Sequence, residues 1–205
     1  MTADPASTYV CLDVEVDGEA PGLGSMLSLA AAVVRDHAIS ETFSANLETL
    51  PAAAPHPETM AFWARFPDEF EATRIDMRLP DEAIPEFVNW LDGLSSKQLV
   101  AVGAPAACDF AWVNWYCHRF AGRNPLGYAC LDLLSLAMGI LRASDYWALE
   151  HHLDRVLQVP AYPALRRHVA IDDAVLTART LIAVLEERDR LAADAVVIVN
   201  SQAKP

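Results

Sequence analysis

The stretch YVCLDVEVDGEAPGLGSMLSLAAAVV, Tyr9 to Val34, constrains the fold more than any other part of the chain. It sets two carboxylates, Asp13 and Glu15, inside an apolar run, follows them with a Gly-containing loop, and resumes as a second apolar run over Leu27 to Val34. Alternate residues of a strand share a face. Val10, Leu12 and Val14 therefore lie on one side and Asp13 and Glu15 on the other, with the two acids about 7 Å apart by the rise per residue. Carboxylates drawn together out of water repel one another, so a compensating cation must come from elsewhere in the chain or from a bound metal. Oxygen ligands of this kind suit Mg²⁺ or Mn²⁺. The spacing alone is a weak signal, because Asp17 to Glu19 repeats D-x-E in a loop with no apolar anchor. On that reading Asp17→Ala is expected to be silent.

Residues 35–37, RDH, read as a tight turn into a third strand, AISETFSANL, which makes the N-terminus an antiparallel meander. After the Pro-rich LPAAAPHPE the pattern becomes helical in ETMAFWARF and again in AIPEFVNWLDGL, where Phe87, Val88, Trp90, Leu91 and Leu94 supply an apolar face. QLVAVGA, residues 98–104, is continuously apolar, as strands buried in parallel sheets are. Helical patterns follow at about residues 109–121, 131–142 and 147–157. The clearest runs from Val169 to about Arg190, with Ile171, Ala174, Val175, Ala178, Leu181, Ile182 and Leu185 recurring at three and four. The expected fold is α/β: a mixed central sheet, antiparallel meander plus parallel strands, flanked by helices. It is expected to form one domain over residues 1–205 with its core at about 9–190. Residues 194–205 fit either an edge strand or a loose tail.

The 53% hydrophobic and 21% charged composition is that of a globular chain, and no segment approaches the roughly 18 apolar residues of a membrane span. MTADPAST carries neither the basic cluster nor the apolar core of a secretory signal, so the expected location is cytoplasmic. Cys11, Cys108, Cys117 and Cys130 include no C-x-x-C pair and read as reduced, mostly buried thiols. A net charge of −13 argues against gripping long duplexes through phosphate neutralisation and favours short or single-stranded ends, or contacts bridged by metal ions.

The remaining acids are unremarkable one at a time. Asp109 stands where the buried strand gives way to a helix, a place that favours Asp as an N-cap. In RRHVAIDDAVLTARTL, His168 precedes the long helix and Asp172 and Asp173 lie in its first turn, where acids complement the dipole. Both aspartates fall about 130° from the centre of the apolar stripe, so periodicity does not separate them. Trp63 and Phe66 either stack on a terminal base or pack the helical segment around them. Glu150 to His152, EHH, diverge around a helix and read as a solvated face.

Taken in order, an acid pair on the first strand, an Asp after a later buried strand, and a His with an Asp five residues on resemble the DEDD-type 3'-5' exonucleases. The H-x-x-x-x-D spacing of His168 and Asp173 resembles the histidine subgroup, DEDDh, whose fold is ribonuclease H-like. GSMLSLAAAVV resembles the second strand of that fold. TMAFWARFPDEF with LPDEAIPEFVNWL resembles the helical insert of the small 3'-5' exoribonuclease branch, and NPLGYACLDLLSLAMGIL its middle helix, so the resemblance covers most of residues 9–187. It implies that Asp13, Glu15, Asp109 and Asp173 hold two divalent cations, Mg²⁺ or Mn²⁺, and that His168 is the general base. The choice of Asp173 over Asp172 rests on the resemblance. Cys108 stands where an aromatic is usual. The implied activity is two-metal hydrolysis at the 3' end of single-stranded nucleic acid, RNA before DNA, releasing nucleoside 5'-monophosphates. The alternatives are a DNA-trimming or repair exonuclease and a catalytically silent nucleic-acid-binding module. The resemblance also implies a homodimer, with Trp112, Trp115 and Tyr116 either at its interface or in the core.

Overall fold

The structure is a computed structural model that describes residues 7–94, 98–150, 152–159 and 165–202. Strand β1 (Thr8–Val16) pairs antiparallel with β2 (Met26–Arg35), and β2 with β3 (Ala38–Asn46). Asp36 and His37 link β2 to β3 with φ of 48° and 59°, the left-handed pair that suits a two-residue hairpin between twisted strands. Strand β4 (Leu99–Gly103) joins the other side of β1 in parallel, and β5 (Cys130–Asp132) joins β4, giving the order β3-β2-β1-β4-β5. The meander and the buried parallel strand are as expected, whereas β5 falls where the sequence pattern runs into a helix. Three residues carry no period of their own, and only pairing with β4, from Ala101–Cys130 to Gly103–Asp132, makes them a strand.

Helices α1 (Pro57–Trp63), α2 (Pro67–Ala72) and α3 (Pro80–Gly93) each begin with proline in the first turn, where its fixed φ suits the helix and its missing N–H costs nothing. Helix α4 (Ala106–Tyr116) continues into a π-helical turn over Cys117–Ala121. Then follow α5 (Leu133–Leu141), α6 (Tyr146–Glu150), α7 (Leu153–Val156) and α8 (Ala170–Gln202). The chain end is thus helical through Gln202 and is neither an edge strand nor a loose tail up to that point. Val196 to Val199 are β-branched-rich, but no Gly or Pro interrupts the run from Ala170, and an established helix extends at one bond per residue.

Both faces of the sheet are covered. Val10, Leu12, Leu29 and Val33 pack beneath α3 and α4 through Ile84, Phe87, Leu91, Val113 and Tyr116. The opposite face presents Cys11, Ala30 and Ala32 to Ala174, Ala178 and Leu181 of α8. Trp112 and Tyr116 are core residues, and the Tyr116 hydroxyl accepts from the Met26 N–H at 2.7 Å. Trp115 is half-buried and packs against the same cluster, so all three aromatics pack in or against the core. Cys11 and Cys117 are buried as expected, Cys130 is half-buried and Cys108 is exposed. His151 and the side chain of Glu150 lie outside the described residues. Among the described residues, no helix is long and apolar enough to cross a membrane.

Candidate active site

The face of β1 that lies under α8 carries Cys11, then Asp13 and Glu15, which stand opposite Ala30 and Ser28 of β2. The irregularity between Glu15 and Val16 ends the regular ladder just beyond the pair. Asp109 arrives from the first turn of α4. Gly103 permits this turn, since a Cβ there would sit 2.7 Å from the Ala106 Cα. The Ala104 N–H donates to Asp109 Oδ2 at 3.3 Å, and Asp109 is 7% exposed. Asp132 braces the same turn: its Oδ2 accepts from the Ala106 N–H at 3.0 Å while its Oδ1 caps α5 through the Ser135 N–H at 2.7 Å.

The loop before α8 is tied at two backbone positions by the helix's own first turn. The Arg166 N–H donates to Asp172 Oδ2 at 2.9 Å and the His168 N–H to Asp173 Oδ2 at 2.6 Å. These ties hold His168 in a left-handed conformation, φ 62°, that a non-glycine residue adopts only when its surroundings require it. Its imidazole lies against Phe62 and Phe66, with ring centroids 4.9 and 4.4 Å away. The Arg65 guanidinium sits 5.3 Å from both phenyl rings. Asp173 faces the cleft, whereas Asp172 pairs with Arg166 at 3.8 Å. Rotation about the helix axis could not separate the two, but the loop ties do.

Asp13, Glu15, Arg167, His168, Asp173 and Thr177 line a cleft of about 480 Å³. Glu15, His168 and Asp173 each offer a ligand atom within 4.8 Å of the others. Burial, with repulsion from Asp109, Glu15 and Asp173, pushes the Asp13 carboxyl well above its usual range. Burial, with Asp173 and Asp109, lifts Glu15 to about 8. Burial raises Asp109 to about 7 although the Ala104 and Val14 N–H groups favour its anion, and burial also raises Asp173. Burial lowers the His168 pKa, which favours neutral imidazole, while Asp173 pulls the other way. Cys108, though exposed, stands at the edge of the acid cluster, where partial desolvation and the neighbouring acids push its thiol up to about 11, so it stays a thiol. An all-oxygen set that the chain leaves short of positive charge fits hard divalent cations.

Asp13, Glu15, His168 and Asp173 thus line one cleft, and Asp109, just behind it, acts on Asp13 and Glu15. Trp63 does not join them: it is 3% exposed and its indole N–H donates to the Val16 carbonyl at 2.8 Å, so the packing alternative holds. Phe66 reaches the site by way of His168. Phe62 was not singled out by sequence reasoning; it stands near the end of α1 and meets Phe66, just ahead of α2, at a ring-centroid distance of 5.0 Å. Asp132 was likewise missed, and its signal was an Asp three residues ahead of Ser135 at a helix start. Asp17 is a correction. It is 2% exposed and its Oδ1 accepts from the Ser25 N–H at 2.5 Å, so it is built into the loop and its removal is expected to cost stability. Glu19, His56 and Glu58 form a second, more exposed group.

No family model matches the chain. It is 30% identical over 192 residues to the 3'-5' DNA exonuclease Cap18 of Escherichia coli, covering 89% of this chain and 95% of that protein. Its fold is similar to the nuclease domain of 3'hExo, a DEDDh family member bound to rAMP. That match has a TM-score of 0.63 at 11% identity and covers 89% of this chain and 93% of the other. It is also similar to Escherichia coli ExoI in a zinc-bound complex with single-stranded DNA, with a TM-score of 0.65 at 14% identity. Here 93% of this chain corresponds to 43% of the larger protein.

Proposed function

The chain belongs to the DEDDh family of 3'-5' exonucleases, and on that premise we propose that it removes nucleotides from the 3' end of single-stranded DNA as nucleoside 5'-monophosphates. The observation that carries the reading is the placement of Asp13, Glu15, Asp173 and His168 around one cleft, with Asp109 close enough behind it to act on Asp13 and Glu15. DNA is preferred because the relative that matches over nearly its whole length is named a DNA exonuclease. RNA is the second reading, favoured by the resemblance of the helical insert to the small exoribonuclease branch. The acidic surface, net −13, suits a single-stranded end better than a long duplex.

Asp13, Glu15, Asp109 and Asp173 would hold two divalent cations, Mg²⁺ or Mn²⁺. When bound, such ions supply charge stabilisation for the phosphate and a lowered pKa for the attacking water. The chain's own part is positional. The acids set the charge of the site, and repulsion among them disfavours the all-ionised state until cations offset it. His168, held neutral by burial, accepts a proton from the water as its oxygen attacks the terminal phosphodiester. The bond from phosphorus to the penultimate 3' oxygen breaks, leaving a new 3'-hydroxyl and a nucleoside 5'-monophosphate. Phe62 and Phe66 hold the imidazole in place and shield it from water.

The test uses 5'-labelled single-stranded DNA and RNA of one sequence, with Mn²⁺, with Mg²⁺ and with chelator. A metal-dependent ladder that shortens from the 3' end, faster on DNA, is expected. Faster shortening of RNA would move the preference to the second reading. Intact oligomers that are nevertheless bound tightly would return the silent binding module.

A further inference from the structure

Arg167 is the one Arg or Lys lining the cleft among the described residues. Its Nε lies 3.0 Å from Asp173 Oδ1 while the His168 N–H holds Oδ2, so both carboxylate oxygens of Asp173 are engaged by the chain itself. The pair is lopsided in burial: the Arg167 side chain is 73% exposed and that of Asp173 13%. The guanidinium therefore reaches into the site from solvent. Its charge favours the ionised forms of Asp13 and Glu15 as well as Asp173. It thus partly supplies what the acid cluster lacks.

An ion pair with one partner so exposed is weak, about 0–1 kcal/mol, and is readily exchanged. The backbone on either side of Arg167 is tied by the Arg166 and His168 N–H bonds. Any exchange is then a rotation of the Arg167 side chain about a fixed point at the mouth of the cleft, beside the proposed base. A guanidinium presents a planar fork of donors that matches two oxygens of a phosphate as well as it matches a carboxylate. A divalent cation held by Asp173 would compete for the same oxygen, and a phosphate of a strand in the cleft would offer the guanidinium another pair of oxygens. Arg166, paired to Asp172 away from the cleft, has no such alternative partner there.

We propose that Arg167 is an exchangeable counter-charge, which neutralises Asp173 in the cation-free site and moves to a phosphate oxygen of the bound 3'-terminal nucleotide when a divalent cation takes Asp173. This rests on the exonuclease reading, and its two halves are read by binding alone. Calorimetric titration of Mn²⁺ into wild type and Arg167→Gln, without nucleic acid, should show tighter binding in the variant by up to about fivefold, because a competitor worth up to about 1 kcal/mol has been removed. Fluorescence polarisation of a labelled single-stranded oligomer in Ca²⁺ should show about tenfold weaker binding by Arg167→Gln, the loss expected for a charged hydrogen bond. Arg167→Lys should recover part of it. Unchanged or weaker Mn²⁺ binding in Arg167→Gln would overturn the first half, and unchanged oligomer affinity the second. Failure of the wild-type protein to cleave would overturn the exonuclease reading instead, and leaves both binding measurements readable. Because the side chain is mostly exposed, the variants should melt close to wild type.

Discussion

Two D-x-E tripeptides lie four residues apart, and the structure gives them opposite surroundings. Asp13 and Glu15 occupy a regular strand, face the same cleft, and are pushed up in pKa by burial and by one another's neighbours. Asp17 is buried too, but its carboxylate is satisfied by the Ser25 N–H, and Gly24 packs so closely that a Cβ there would meet Asp17 Oδ1 at 2.9 Å. Glu19 points outward toward His56 at 3.6 Å. Burial therefore does not mark the working acid. What marks it is burial that the chain's own donors and cations do not offset.

The sharpest way to break the comparison is to remove one member of each pair. Asp13→Ala or Glu15→Ala should lower cleavage at least about a hundredfold with the fold intact, and relief of repulsion should raise the melting temperature without metal. Cleavage assays beside thermal melts check both. His168→Ala should cost about 10²- to 10⁴-fold in kcat, the usual worth of a general base. Asp17→Ala should do the converse, costing about 1–3 kcal/mol of stability through an unpaired Ser25 N–H, measured by urea unfolding, with kcat preserved well below the transition.

Proton linkage sharpens the same contrast. Glu15 has a folded pKa of about 8 against an ordinary 4.5, and Asp109 about 7 against 3.8. Between those values the native state binds more protons than the unfolded chain, so stability is full below the ordinary pKa and falls as pH rises toward the folded one. Metal-free protein should lose stability from about pH 4 to pH 8, and saturating Mn²⁺ should flatten the curve. A metal-free curve flat over that window would contradict the uncompensated burial of these acids. The smallest effect is expected at Phe66→Ala, which lets water reach His168. Burial is the main cause of its lowered pKa, so the acid limb of the kcat/KM profile should move to higher pH.

Much of this was legible in residue order. Period-two alternation placed Asp13 and Glu15 on one face, and period 3.6 found the helix that brings Asp173. Asp109 was legible only through the company it keeps, since alone it is an ordinary helix-start acid. What remained hidden depends on contacts between distant segments. Strand β5 exists through its pairing with β4, and Asp17 is buried because Gly18 and Gly24 meet across a loop. Which of Asp172 and Asp173 faces the cleft goes with the backbone N–H of the preceding loop that each one accepts. Trp63 stayed open between stacking and packing because nothing local shows that its indole is spent on the Val16 carbonyl.

The most direct test sets Asp13→Asn beside Asp17→Asn on 5'-labelled single-stranded DNA with Mn²⁺. Both substitutions remove one negative charge and keep an oxygen acceptor, so they differ only in place. The account predicts a normal 3'-shortening ladder from Asp17→Asn and intact oligomer with Asp13→Asn. A ladder of undiminished rate from Asp13→Asn would contradict it.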